Sequence, residues 1–351
     1  MLIWSNDPYN SVWEYLNLFQ SKDAVSRLLD GNFQSERPFS YVNNETKNTK
    51  AKQISYSIKQ AYEYFKSAES VTINTSPLLY FYGMLALAKA LILGNSPNTI
   101  LSELNYHGLH SRPKSKKLKE YSEDKENWSI ENEYAVTNNG VFQHLVKIID
   151  GEGFPKDTIF TFKNLLPVNP ELRDIFKRYY SEEPKNIEVQ GVRRVSNNPD
   201  IIEVLILTND RNEFEKNFPI FKKQFIFKEL YKNKYLRYHS NEHFERPSKS
   251  FSVHRSIYSR TYLVAGTEYE HNEKMFNKFI SPAINDYAGM FILSNCVRYK
   301  QDLWGKIVDG EAGGSLGVIN MFISTAKIRF STFVLSELLN EKIEFGTTAR
   351  W

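Results

Sequence analysis

Apolar and polar positions follow a helical period at both ends of this chain, and short β-branched runs in its middle third. Trp4, Trp13, Tyr15, Leu16, Leu18 and Phe19 open it. Asp7-Pro8 suits a helix start, because proline has no amide hydrogen to lose at a first helical position. Asp30 to Thr49 is rich in Asn, Ser and Thr and reads as a long loop. Ile54, Ile58, Ala61, Tyr62, Phe65 and Ala68 then recur at the spacing of an amphipathic helix. Ser76-Pro77 supplies a cap and first turn for a helix that is apolar almost all the way round, Leu78 to Leu93, and such a helix belongs inside the protein. Lys89 shares a face with Leu85 and Ile92, so its ammonium must snorkel outward or meet a carboxylate.

Tyr134-Ala135-Val136 predicts a short strand before the turn Asn138-Asn139-Gly140, and Val141, Phe142, Leu145, Val146 and Ile149 predict a helix after it. Glu171 to Tyr180 is a further helix between prolines. Ile187 to Val189 and Ile201 to Leu207 flank Asn197-Asn198-Pro199-Asp200 as a hairpin. Asn212 to Leu230 is expected to be helical in part, with Pro219 interrupting it, and Phe251 to Ala265 favours strand. Ser281-Pro282 begins a helix whose stripe is Ile284, Tyr287, Ala288, Phe291, Ile292, Asn295, Cys296 and Tyr299. Gly310 to Gly317 breaks the pattern before a long apolar helix from Val318 to Leu339. The fold class expected is therefore α+β, mainly α-helical, a helical core with a small antiparallel sheet inserted in the middle third. The divisions expected are 1–185 (helical), 186–270 (a small β-containing subdomain) and 271–351 (helices packing back on the first region).

Composition supports a substantial core: 351 residues, 41% apolar and 14% aromatic. The one cysteine, Cys296, excludes an intrachain disulfide, and with no basic-apolar leader at the start it points to a cytoplasmic location. Leu78 to Leu93 falls short of the ~20 apolar residues that span a bilayer and carries Lys89, so no transmembrane segment is expected. The formal charge of +4 does not by itself mark a nucleic-acid binder. Charge does cluster locally: five basic residues lie between Arg112 and Lys119 without an acid, and Glu120, Glu123, Asp124, Glu126, Glu131 and Glu133 then reverse the sign. That excursion reads as a solvated loop or as a docking surface for an acidic or phosphate-rich partner.

No catalytic set stands out. The glycine cluster Gly310 to Gly317 lacks a Gly-Lys-Ser/Thr ending and follows a helix, which suits a helix-to-helix turn better than a phosphate cradle. His239-Ser240-Asn241-Glu242-His243 has its glutamate beside the second histidine, unlike the zinc-protease pattern, and reads as a polar loop. No Gly-x-Ser-x-Gly elbow occurs, and Cys296 sits in an apolar stripe. No cofactor or metal is called for, and a non-enzymatic role is the favoured reading. The best binding candidate is the segment in which Lys222, Lys223, Lys228, Lys232, Lys234 and Arg237 interleave with Phe221, Phe225, Phe227, Tyr231, Tyr235 and Tyr238. Such a mixture suits phosphate contacts and base stacking, and equally an amphipathic element with core aromatics and a solvated basic face.

Several short motifs together resemble the YaaC-like family of bacterial proteins: Ser76-Pro77-Leu78-Leu79-Tyr80-Phe81-Tyr82-Gly83-Met84 with Lys89-Ala90, His107-Gly108-Leu109 ahead of the basic run from Arg112, Asn139-Gly140-Val141-Phe142 with His144, and Ile292-Leu293-Ser294 with Val297-Arg298-Tyr299 and Trp304. The resemblance extends from about Ile54 to about Trp304. It carries over no established enzymatic activity. Some members resemble JukA-type antiphage sensors, which implies a sensor or adaptor that recognises a phage-derived protein or compartment and recruits an effector protein. Nucleic acid is the alternative partner, bound or cut by a protein using segment 221–238, and self-association is left open. Lys89, His107, Arg112 and Arg298 would form an anionic-ligand pocket if they converge. The bland alternatives are a hydrogen-bonded turn at His107 and a local ion pair of Arg298 with Asp302.

Overall fold

A computed structural model describes the chain except residues 32–43, 97, 113–127, 219–220, 223–224, 242–250, 258–259 and 347–351. In chain order, β1 (Leu2–Trp4) precedes helices α1 (Pro8–Leu18), α2 (Lys22–Leu29), α3 (Asn44–Glu69) and α4 (Ser76–Asn95). There follow β2 (Leu109–His110), β3 (Tyr134–Thr137), α5 (Val141–Asp150), β4 (Ile159–Thr161), α6 (Phe162–Leu165) and α7 (Arg173–Tyr180). The middle holds β5 (Asn186–Val195), β6 (Asn198–Leu207), α8 (Arg211–Asn217), β7 (Phe225–Tyr231), β8 (Tyr235–Ser240), β9 (Phe251–Arg255) and β10 (Thr261–Ala265). The last part holds β11 (Thr267–His271), β12 (Lys274–Lys278), α9 (Pro282–Tyr299), α10 (Gln301–Val308), α11 (Ser315–Leu339) and β13 (Glu344–Gly346). The fold is α+β and mainly helical.

The chain divides into two units, one of Met1–Lys163, Tyr269–Met275 and Ser281–Trp351, the other of Asn164–Glu268 and Phe276–Ile280. In the first, α4 is the central rod, packed by α3, α5, α9 and α11. Its apolar side chains have no polar face to turn outward, so neighbours surround it. By length and composition α4 and α11 are each apolar enough to cross a membrane, yet 72% and 61% of their apolar windows are buried within the protein. The two ends of the unit meet where β1 and β13 pair in parallel. Strands β2, β3, β4 and β11 pair antiparallel in a sheet of order β12-β11-β4-β3-β2.

An ion pair lies inside this helical core. Arg329 on α11 donates from Nε to Oδ2 of Asp286 on α9 at 2.7 Å, and from its terminal nitrogen to Oδ1. Asp286 is fully buried and Arg329 is 6% exposed. A charge so deep is tolerable only with an opposite charge and hydrogen bonds to match, which makes the pair a register lock between two otherwise greasy helices.

The second unit is built on a six-stranded antiparallel sheet of order β7-β8-β6-β5-β10-β9. One face carries its core, including Ile187, Val189, Ile202, Val204, Ile206, Leu236, Tyr238 and Leu263, joined by Phe214 of α8 and by Phe221. The β5–β6 hairpin forms at the segment expected, with Val189 opposite Ile206 and Arg193 opposite Glu203.

The structure departs from the sequence expectations in several places. The supposed loop Asp30 to Thr49 is helical from Asn44. Lys47 pairs with Asp30 there, and buried Lys50 donates its ammonium to the carbonyls of Ser96, at 2.8 Å, and of Thr99, so tertiary contacts outweigh weak local propensity. Ser76 is the first helical residue rather than the cap, which falls to Thr75. Asn212 to Leu230 is helical in part, as expected, over Arg211–Asn217 and again at residues 221–222, but from Phe225 onward it is strand because alternate side chains join the sheet core. The five-stranded sheet, made of strands only two to five residues long, is additional to the sheet expected.

Removing one charge of the Asp286–Arg329 pair leaves the other buried alone. Asp286→Leu and Arg329→Met are each expected to cost about 3–5 kcal/mol in urea denaturation, with the double variant Asp286→Leu/Arg329→Met costing less than either single change. A loss below about 1 kcal/mol for both single variants would show that the pair is not structural.

Candidate functional site

Two regions concentrate the residues that the sequence singles out. The first is the crossing of the His107 and Gly140 loops. Gly108 and Gly140 both have left-handed φ, +84° and +137°, and lie back to back: a Cβ on Gly140 would sit 2.4 Å from the Tyr106 carbonyl oxygen, and one on Gly108 2.8 Å from the Phe142 nitrogen. Only glycine permits both the φ and the approach. The payoff is at the start of α5, where Val141 N donates to Tyr106 O at 2.8 Å and Phe142 N to His107 O at 3.1 Å. Backbone carbonyls thus satisfy amides that a helix start leaves open. The Tyr287 hydroxyl adds a third tie, donating to His107 O at 3.2 Å.

The imidazole of His107 is half-buried, with its ring edge against Phe81 and 5.2 Å from Phe291. Its Nδ1 accepts from Leu109 N at 3.3 Å. Burial, then the charges of Arg298 and His110, lower its pKa below 6.5, so it is held neutral. His107, His110 and Arg298 therefore do come within electrostatic reach of one another. Lys89 does not join them: it is half-buried on α4, and burial alone lowers its pKa. No carboxylate among the described residues pairs with it, so it snorkels. Arg112 is exposed, and its backbone N donates to His110 Nδ1 at 3.2 Å.

Arg298 folds back on its own helix, donating to Ser294 O at 3.3 Å, and lies 5.0 Å from the Tyr299 ring. The ion pair with Asp302 does not form, because α9 ends at Tyr299 and Asp302 lies in the first turn of the next helix. Trp304 is buried and belongs to the core. Close by in sequence, Lys300 pairs with the buried carboxylate of Glu133, which also accepts from Trp128 Nε1. This pairing went unseen in the sequence, where Glu133 looked like one more acid of a solvated run. These motifs are mainly framework.

The second region is the basic-aromatic segment, most of which forms the β7–β8 hairpin. Its turn is closed by Lys234 N donating to Tyr231 O at 3.2 Å, with Lys232 and Asn233 both at φ 52°. That left-handed geometry matches the twist of the paired strands. The alternation splits the segment by face. Phe221, Phe225 and Tyr238 enter the core, with Phe221 and Phe225 stacked at 4.2 Å. Arg237 lies between Glu203, at 3.6 Å, and Glu229, and over the Tyr231 ring at 4.2 Å. Glu203 also holds Arg193 at 2.7 Å and has His239 at 3.4 Å, which places His239 on a strand; His243 is outside the described residues. Lys222 pairs with Glu215 at 3.2 Å, and Lys223 is outside the described residues. What is left is Lys228 on the edge strand and Lys232 and Lys234 at the tip, all exposed and with no carboxylate partner among the described residues. Tyr231 and Tyr235 flank the tip, each with a lysine within 6 Å of its ring.

The neutral state of His107 has a pH consequence. The unfolded chain protonates this side chain near pH 6.5, while the folded state resists, so its contribution to stability is complete above that pH and is lost as pH falls below it. Urea denaturation at about pH 7.5 and about pH 5.5 should show stability falling with acid, and His107→Asn, whose side-chain oxygen can still accept from Leu109, should flatten that fall. An equal fall in the variant would assign the acid sensitivity elsewhere.

Compared with known proteins, residues 17–338 match the family described as YaaC-like Protein, a longer stretch than the short motifs cover. Neither the curated proteins nor the solved structures offered a match. With interlocked motifs and a match over most of its length, the chain belongs to the YaaC-like family.

Proposed function

We propose that this protein is a non-enzymatic sensor or adaptor of a bacterial antiphage defence system, working in the cytoplasm, which recognises an infection-associated protein or surface and recruits an effector protein. The family to which the chain belongs suggests the setting, through the likeness of some members to JukA-type sensors. The observation that carries the recognition step is the tip of the β7–β8 hairpin. Lys232 and Lys234 stand exposed there, and Lys228 on the adjoining edge strand, without counter-charges among the described residues, while the neighbouring arginine is already neutralised. Uncompensated cations at and beside a well-closed, exposed turn favour an acidic protein surface and speed encounter with it.

A nucleic-acid partner is the second reading, and the ring geometry counts against it. Single-strand binding needs free ring faces for stacking. Three of the segment's aromatics are in the core, and Arg237 covers the Tyr231 ring. The remaining cations are few, so the salt dependence of any such binding would be shallow.

Reversing the three charges tests the proposal. Lys228→Glu/Lys232→Glu/Lys234→Glu should leave the melting temperature unchanged, since all three side chains are exposed, but abolish protection against phage and remove the partner recovered with the wild-type chain from infected cells. Full protection by the triple variant would overturn the proposal. A DNA or RNA shift by the wild type that weakens as salt rises and vanishes in the variant would replace it with the nucleic-acid reading.

A further inference from the structure

The cleft of about 600 Å³ where α1, α3 and α11 meet is occupied by its own side chains: Lys327 lies over the Tyr9 ring, Lys66 over the Tyr62 ring, and Glu69 is paired with Lys327. An edge of the second unit's sheet is open instead. β7 stands first in the order β7-β8-β6-β5-β10-β9, and among the described residues only β8 pairs with it. Alternate residues of such a strand turn their N–H and C=O groups away from the sheet, and those groups are a template for one more strand.

The side chains of β7 select which strand fits. Ile226 is 49% exposed and Leu230 is 40% exposed. A bulge between Phe227 and Glu229 puts the two on opposite faces, since Ile226 stands opposite His239 and Leu230 opposite Leu236, three positions apart on β8. A strand laid along β7 would therefore cover an exposed apolar side chain on each face. Lys228 lies between them at the centre of the strand, exposed and with no carboxylate partner among the described residues, and Lys232 and Lys234 continue the positive charge into the turn. Glu229, the acid of this strand, is already held by Arg237.

A lysine on an edge strand ordinarily keeps other strands away, and its charge also sets which one is admitted. A second copy of this chain, pairing antiparallel about the centre of β7, would set Lys228 against its own image, and like charges directly opposite one another are destabilising. A strand with acids at that place meets attraction.

We propose that β7 takes an acidic, extended segment of a partner protein as a further strand of the sheet. The segment's backbone pairs with the outward amides and carbonyls, its carboxylates meet Lys228, and its apolar side chains cover Ile226 and Leu230. Strand addition rests on the hairpin being the recognising element of the sensor, and it specifies the partner's chemistry there: an acidic strand rather than any acidic surface.

The test is fluorescence anisotropy of the full chain with a capped, dye-labelled peptide of about seven residues, the length of β7, with two glutamates at its centre and valines on either side. The same peptide N-methylated at both central residues keeps every side chain but blocks both of its backbone edges, and an oligoglutamate of the same length keeps charge alone. The first peptide should bind with a Kd below about 1 mM, and the other two at least about tenfold more weakly. Lys228→Glu should weaken the first peptide about tenfold and Ile226→Thr about fivefold, with the melting temperature little changed, and hydrogen exchange over residues 226–231 should slow in the complex. Equally tight binding by the N-methylated peptide or by oligoglutamate would overturn strand addition and leave recognition by charge in place. Absence of binding by the first peptide at about 1 mM, or binding undiminished in both variants, would also overturn strand addition, whereas the sensor role falls only to full protection by the triple lysine variant.

Discussion

The buried Asp286–Arg329 pair is the constraint on which the helical unit turns. Apolar helices slide past one another at little cost, since one leucine contact resembles the next. A fully desolvated carboxylate and guanidinium, joined by two hydrogen bonds, meet in one register only. Once α9 is fixed against α11, the residue after Asp286 is fixed too. Tyr287 then places its ring 5.4 Å from Phe81 of the central rod and 6.0 Å from Phe142, and its hydroxyl on the His107 carbonyl. The crossing of the His107 and Gly140 loops is thus held from one side by glycine sterics and from the other by α9.

Much of this was legible in advance, and for physical reasons. Helices begun by Asp7-Pro8 and Ser281-Pro282 start where proline and a capping oxygen favour it: Asn10 N donates to Asp7 Oδ1 at 3.1 Å, and Ala283 N to Ser281 Oγ at 3.4 Å. The turn of Gly310 to Gly317 is a helix-to-helix turn, as its left-handed Gly310, Gly313 and Gly314 require. What stayed hidden depended on partners distant in sequence. Asp286 was passed over within an apolar stripe, though a lone acid in one greasy helix and a lone arginine in another are a signal that the two must meet. Strands as short as β2 and β4 carry too few residues to show alternation, and they exist because neighbours complete their hydrogen bonds.

The candidate site was half legible. The basic-aromatic segment was recognisable as a string of cations and rings, but which of them are free could be learned only from pairing. Arg237 looks like a ligand-binding residue in sequence, and in the fold two glutamates and a tyrosine ring occupy it. The cleft lined by Tyr9, Trp13, Tyr62 and Glu69 was invisible for the opposite reason: each residue fits its own helix stripe, and only the meeting of three helices brings them together.

The proposed role divides the labour, with the family motifs building the frame and a charged turn doing the recognising. Hydrogen exchange of the chain alone and in complex with the partner recovered from infected cells tests that division most directly. The account predicts new protection over residues 225–240, with residues 107–112 and 294–299 unchanged. New protection at the His107 loop and the end of α9, with the hairpin unaffected, would contradict it.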